Sequence, residues 1–363
     1  VTADTNLVIN LQRNKLLHGL EVIVSIQRII IIPFSLLLVC TFAPFIWAKE
    51  RSITVTVNVD LKLPAEAKEV RLWLPYPLSD RNQRVTNVQV CGNYGAASVL
   101  REGVFGNTIL FAIWQGVSPG RKLTYSFEIT RKEMITWDFA GKELPLPRRE
   151  LKDYLGMGLA PATQAKVKTL ATAITKNKRT TRAKARAIYD WVVDNMQRDP
   201  ETKGCGPGII ERLLATRKGK CIDINSIFVA LARAADIPAR EILGIRIPKG
   251  KEGEMTKSQH CWAEFYLPGS GWVVVDPADV AKARFEQKLS GEQLKPLREY
   301  YFGAVDENRI AYGQGRGVVL NPPQQGEPLN YFMYPYAEVD GKEFNEDLYG
   351  FNIGYRISFK EKM

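Results

Sequence analysis

Cys221, in the segment Gly219-Lys220-Cys221-Ile222-Asp223, is followed downstream by His260 and Asp276. A thiol, an imidazole and a carboxylate can serve as nucleophile, base and the group that orients the base. The chain has two histidines, and His18 lies in a stretch of targeting character, so imidazole chemistry in the folded body falls to His260. A thiol of ordinary pKa, about 8.5, is mostly protonated at neutral pH, and only the thiolate attacks. The surrounding sequence must therefore supply a reason for Cys221 to ionise.

A helix start is one such reason. Ile224, Ile227, Phe228, Leu231, Ala232 and Ala235 recur at helical spacing, and Gly219-Lys220 breaks the pattern just before Cys221. The unpaired amides and dipole of a helix start favour negative charge, and a histidine cation beside the sulfur favours it further. Asp223, in the first turn, fits a capping role. The competing reading treats Cys221 as a small buried hydrophobe.

The stretches Gln259 to Tyr266 and Gly271 to Asp276 read as strands joined at Pro268-Gly269-Ser270-Gly271. Side chains alternate between the faces of a sheet, so the parity of this loop decides whether His260 and Asp276 meet. An even loop pairs Ala263 with Asp276 and separates the two. An odd loop, with glycine assistance, pairs Trp262 with Asp276 and makes His260 a same-face diagonal neighbour at about 7 to 8 Å. An odd loop or bulge is therefore expected.

The string from Gly219 to Arg240, with His260-Cys-Trp-Ala-Glu-Phe-Tyr and Trp272 to Asp276-Pro277, resembles the transglutaminase-like superfamily of bacteria. The resemblance spans about residues 160 to 285 with all three motifs in order. It implies a papain-like Cys-His-Asp fold, with Cys221 as nucleophile, His260 as base and Asp276 as orienter. The superfamily includes amide crosslinkers, thiol peptidases, deglycosylating amidases and members without catalysis, so fold similarity leaves the reaction open. In many relatives the helix before the nucleophile ends near an aromatic residue lining the site. Here it ends Asp194-Asn195-Met196-Gln197-Arg198, with no aromatic residue. The expected oxyanion donors are the Cys221 amide and the Gln197 side chain or an amide of the 203–208 loop.

Around this core the expected class is α+β. Residues 52–63 alternate strictly, and further alternating runs at 70–74, 85–90, 107–114 and 123–129 give an antiparallel β-sandwich over 49–142. The sandwich carries no catalytic constellation and reads as a substrate-positioning or partner module, or simply as a cover for an apolar face. A Pro-rich linker occupies 143–160, and the transglutaminase-like domain 161–285 opens with helices near 161–176, 180–197 and 208–216. A β-rich C-terminal extension fills 286–363. Its aromatic run Tyr331-Phe-Met-Tyr-Pro-Tyr336 is expected to pack on the core, with lining of an acyl groove as the alternative.

Residues 29–47 are uncharged and apolar, which makes 1–48 a signal peptide or membrane anchor with a candidate cleavage after Ala48. Export to the periplasm or an equivalent compartment permits disulfides, and Cys205 with Cys261 is the pair considered beside a fully reduced alternative. No cysteine and histidine cluster has metal spacing, so neither metal nor cofactor is expected. The net charge of +11 is scattered, with an excess over 166–186. A solvated helix face explains that excess better than a nucleic-acid reader, and an exported protein would meet anionic envelope polymers instead. The expected function is an exported cysteine peptidase or amidase acting on a protein or peptide of the cell envelope. Protein crosslinking by acyl transfer to an amine, or non-catalytic binding on the same fold, are the alternatives.

Overall fold

The structure is a computed structural model that describes residues 48–362 except 64, 65, 119, 138 and 140–142. The expected signal or anchor at 1–48 thus lies, but for Ala48, outside the described residues. No helix among the described residues is long and apolar enough to cross a membrane.

Strict alternation in the N-terminal sequence produces long strands: β1 (Glu50–Leu61), β2 (Glu69–Pro75), β3 (Gln83–Gly92), β4 (Ala96–Arg101), β5 (Thr108–Gln115) and β6 (Arg121–Lys132). In β1 the inward residues Ile53, Val55, Val57, Val59 and Leu61 are all buried. They share one apolar core with Val70, Leu72 and Leu74 of β2 and with Leu110 and Ala112 of β5. Each of these valines, leucines and isoleucines contributes roughly 1.5 to 3 kcal/mol by leaving water.

The middle of the chain supplies α1 (Pro161–Ile174), α2 (Thr181–Asn195), α3 (Ile210–Thr216) and α4 (Cys221–Ala234). Strands β7 (Ala239–Arg246), β8 (Gln259–Leu267) and β9 (Gly271–Val275) follow, then α5 (Pro277–Glu286), α6 (Gly291–Tyr300) and β10 (Arg309–Gln314). The second sheet element is antiparallel in the order β9-β8-β7-β10. Helix α4 is buried along its length from Cys221 to Ala232, as its nearly all-round apolar sequence requires.

The last strands, β11 (Tyr336–Val339) and β12 (Tyr355–Glu361), do not form a layer of their own. β12 pairs with β1, and β11 pairs with β2, so each sandwich sheet is completed by the chain's C-terminal part. Glu252–Glu254, from the middle of the chain, pairs in turn with β12. The packing therefore has no break at 286. Strand β10 belongs to the same sheet as His260, and Val318, Leu320, Phe332 and Tyr336 cover the outer face of β2 and β5 at Trp73, Ile109 and Phe111. Sequence periodicity did not show these sandwich pairings, because they join segments from 104 residues (Glu254 with Ser358) to 308 residues (Ile53 with Glu361) apart, well beyond the reach of any local pattern.

Candidate active site

Cys221 is the first residue of α4, with Lys220 as its N-cap. Asp223 secures this end: its Oδ2 accepts from the Lys220 amide at 3.1 Å and its Oδ1 accepts from the Gly208 amide at 2.8 Å. The glycines around it follow from this packing. A Cβ on Gly219 would stand 2.3 Å from the Asp223 Cβ, and one on Gly206 would stand 2.0 Å from its Oδ2. Asn225 and Ser226 are also buried, and each has a partner: Asn225 Nδ2 donates to the Cys261 carbonyl at 3.0 Å, and Ser226 Oγ to the Ile222 carbonyl at 2.6 Å. Buried polar groups persist where such partners exist.

The β8–β9 register has the expected odd parity. Leu267 pairs with Gly271 and Ala263 with Val275 across the loop Pro268-Gly269-Ser270, where Gly269 has φ +96°. Continued by one residue, this register sets Asp276 opposite Trp262 and on the face of His260. Asp276 Oδ2 accepts from His260 Nε2 at 2.8 Å. Its Oδ1 accepts from the Asp279 amide at 3.1 Å, which makes Asp276 the N-cap of α5, with Pro277 at the first helical position. One carboxylate thus both starts a helix and orients the imidazole.

With Nε2 bonded to Asp276, Nδ1 is the ring nitrogen left for the sulfur. Hydrogen bonding from the Cys205 thiol, then from Cys261, together with the His260 cation, holds Cys221 well below the ordinary thiol range against the opposing effect of burial. Burial and then Arg246 press His260 toward neutrality, but Asp276 and Asp279 outweigh them and raise its pKa. The two shifts together favour a thiolate and imidazolium pair. Cys205 is raised by its bond to Cys221 and then by burial, and Cys261 by burial and then by Cys221, so both remain protonated donors. All four described cysteines are free, and the considered Cys205 to Cys261 bridge is not formed. Both thiols flank Cys221 instead.

Arg309 was not among the expected site residues. This fully buried side chain, from β10, pairs with Asp276 through Nη1 and donates to Asp279 Oδ2 through Nη2 at 2.6 Å. Its Nη1 lies 3.0 Å from His260 Nε2, so two donors converge on one carboxylate oxygen of Asp276. Arg246 Nη2 adds a second bond to Asp279 Oδ2 at 2.5 Å. Although burial opposes ionisation, Arg309 and then Arg246 hold Asp279 well below the usual carboxylate range. His260, Asp276 and Asp279 stand close enough to hold a metal ion, but the Oδ2 atoms of Asp276 and Asp279 are already paired with the Arg309 and Arg246 cations. No signal at position 309 marks it as part of a site. The Asp276-Pro277 pair could have revealed α5, since Asp then Pro is a helix-start pattern.

Gln197 does not join the group. Its side chain is exposed and absent from the cleft wall, whereas its neighbour Arg198 lines the cleft, as alternation along an extended segment dictates. The backbone amide of Cys221 remains the candidate oxyanion donor at the helix start. The missing aromatic residue is supplied from the C-terminal extension, where Tyr334 and Phe351 line the cleft. Tyr334 is itself buried, so the aromatic run both packs on the core and reaches the cleft. The cleft holds about 340 Å³ and opens onto Cys221 and His260.

An α+β core with a thiol at a helix start and an imidazole and carboxylate on adjacent strands has the papain-like Cys-His-Asp arrangement. The profile of the transglutaminase-like superfamily matches residues 168–277, and this chain belongs to that superfamily. It is 37% identical over 318 residues to an uncharacterized protein of Haemophilus influenzae, covering 80% of this chain and 86% of that one. A protein-glutamine gamma-glutamyltransferase of Pseudomonas aeruginosa is 30% identical over 153 residues, but the match spans only 22% of that protein and 35% of this chain. A candidate cysteine protease from Cytophaga hutchinsonii shares the fold, with a TM-score of 0.51 at 14% identity over 86% of this chain and 98% of that one. A protein described as a cysteine protease thus shares this chain's fold, and one described as a glutamyltransferase shares part of its sequence.

Proposed function

We propose that this chain is an exported thiol hydrolase that cleaves an amide in a protein or peptide of the cell envelope. The observation that carries the reading is geometric: Cys221 begins α4 in a cleft it shares with His260, whose ring is held by Asp276 at 2.8 Å, and the lowering of Cys221 and raising of His260 agree with it. The Cys221 thiolate attacks the amide carbonyl carbon, a C–S bond forms, and the Cys221 amide at the helix start receives the oxyanion. The C–N bond then breaks as the His260 imidazolium gives its proton to the departing nitrogen. Water adds to the thioester with His260 taking its proton, and rupture of the C–S bond returns the thiolate. Asp276 holds the ring throughout.

Water as the acceptor is supported by the cleft wall, whose charged side chains other than the reacting pair are all basic. A lysine ammonium approaching as acceptor would meet like charge, which disfavours crosslinking. Export is supported by the uncharged run at 29–47. A thiol-directed acyl probe tests the reading: the parent should label at Cys221 and release labelled acid, and Cys221→Ala should do neither. Labelling no faster than at the exposed Cys91 would sink it.

A further inference from the structure

Arg198, Lys220, Arg246, Lys257 and Lys282 all line the cleft over Cys221, and no carboxylate does. Arg198 is matched by Glu286 at 3.2 Å, Lys282 by the same carboxylate at 3.8 Å, and Arg246 by buried Asp279. Lys220 and Lys257 have no carboxylate partner within 4.0 Å among the described residues. Lys220 immediately precedes the nucleophile and Lys257 stands three residues before the base, so the two unmatched charges come from the segments that present the reacting groups. Fixed charges of one sign on a concave wall concentrate ligands of the opposite sign.

We propose that the cleft recognises acidic peptides, with carboxylate side chains flanking the scissile amide held by Lys220 and Lys257. The cleavage step rests on the thiol-hydrolase reading above, but the binding step does not. Net protein charge alone would attract anions anywhere on the surface. The distinguishing feature here is that the unmatched cations line the same cleft as the reacting pair.

The test uses the full chain carrying Cys221→Ala and two fluorescent peptides, one with glutamates on both sides of a central amide and one with every glutamate replaced by glutamine. Fluorescence anisotropy at low salt should give the acidic peptide at least about a tenfold lower Kd. That preference should fall on adding K220Q and K257Q, and weaken at about 0.5 M salt. It should persist with K166Q and K168Q, which remove the same charge from exposed positions of α1 that do not line the cleft. Equal binding of the two peptides overturns the proposal, as does an equal loss from either pair of substitutions. Incubation with the parent separates the two claims. Preferred binding of the acidic peptide without cleavage keeps the anionic site and overturns the hydrolase reading, whereas cleavage of both peptides with equal binding does the reverse.

Discussion

The inner face of β1 and the start of α4 are buried to the same degree but are made of opposite materials. Five aliphatic residues fill the first, while Asp223, Asn225, Ser226, His260, Asp276, Asp279 and Arg309 crowd around the second, all at 8% exposure or less. Aliphatic burial needs no partner and tolerates small errors. Burial of charge costs several kcal/mol per group unless every group is matched. The sandwich is thus held by area, and the region around Cys221 by a network in which each member depends on the others.

The largest effect that would sharpen this contrast is chemical. Cys221→Ala should lower acyl turnover by a factor on the order of 10⁴ or more. Its thermal midpoint should stay close to the parent's, since a small side chain replaces another of similar size. Steady-state turnover together with calorimetry checks both.

Next comes Arg309→Leu, which leaves Asp276 and Asp279 buried with less compensation. A loss of roughly 3 to 5 kcal/mol in urea unfolding is expected. Cys221 alkylation should slow in the same variant, because the carboxylate that orients His260 loses a donor. A stability loss without any change at Cys221 would detach Arg309 from the reacting pair.

Ile53→Val, in the sandwich, should cost about 1 kcal/mol and leave the rate of Cys221 alkylation as it was. An altered rate there would mean that the two regions are not independent in the way the contrast requires.

How much of this was legible follows the same division. β1 was readable because period-2 alternation writes burial directly into neighbouring residues, and the nucleophile helix because its apolar residues recur at helical spacing. The meeting of His260 with Asp276 was readable because loop parity follows from local turn chemistry and the register came out odd. Arg309, which backs Asp276 and Asp279, and Tyr334 and Phe351, which line the cleft, were not, because they come from 49 to 91 positions beyond His260 through strand pairings and loop packing that leave no local pattern. Gln197 was misplaced because a nearby position in sequence says little about which way an extended side chain points. Arg198 took the cleft side instead.

The pH dependence follows from the directions of the two shifts. The reactive ion pair forms as pH rises through the lowered Cys221 value and is lost as pH rises through the raised His260 value. Turnover should therefore describe a bell whose acid limb lies below the ordinary thiol pKa of about 8.5 and whose alkaline limb lies above the ordinary histidine pKa of about 6.5. The most direct measurement is the rate of Cys221 alkylation across pH, read at that residue by peptide mass spectrometry, in the parent and in His260→Ala. A thiolate pKa well below 8.5 in the parent that rises when His260 is removed is the expected result. An ordinary thiol pKa, the same in both proteins, would contradict the activated pair and leave the fold as a binding module.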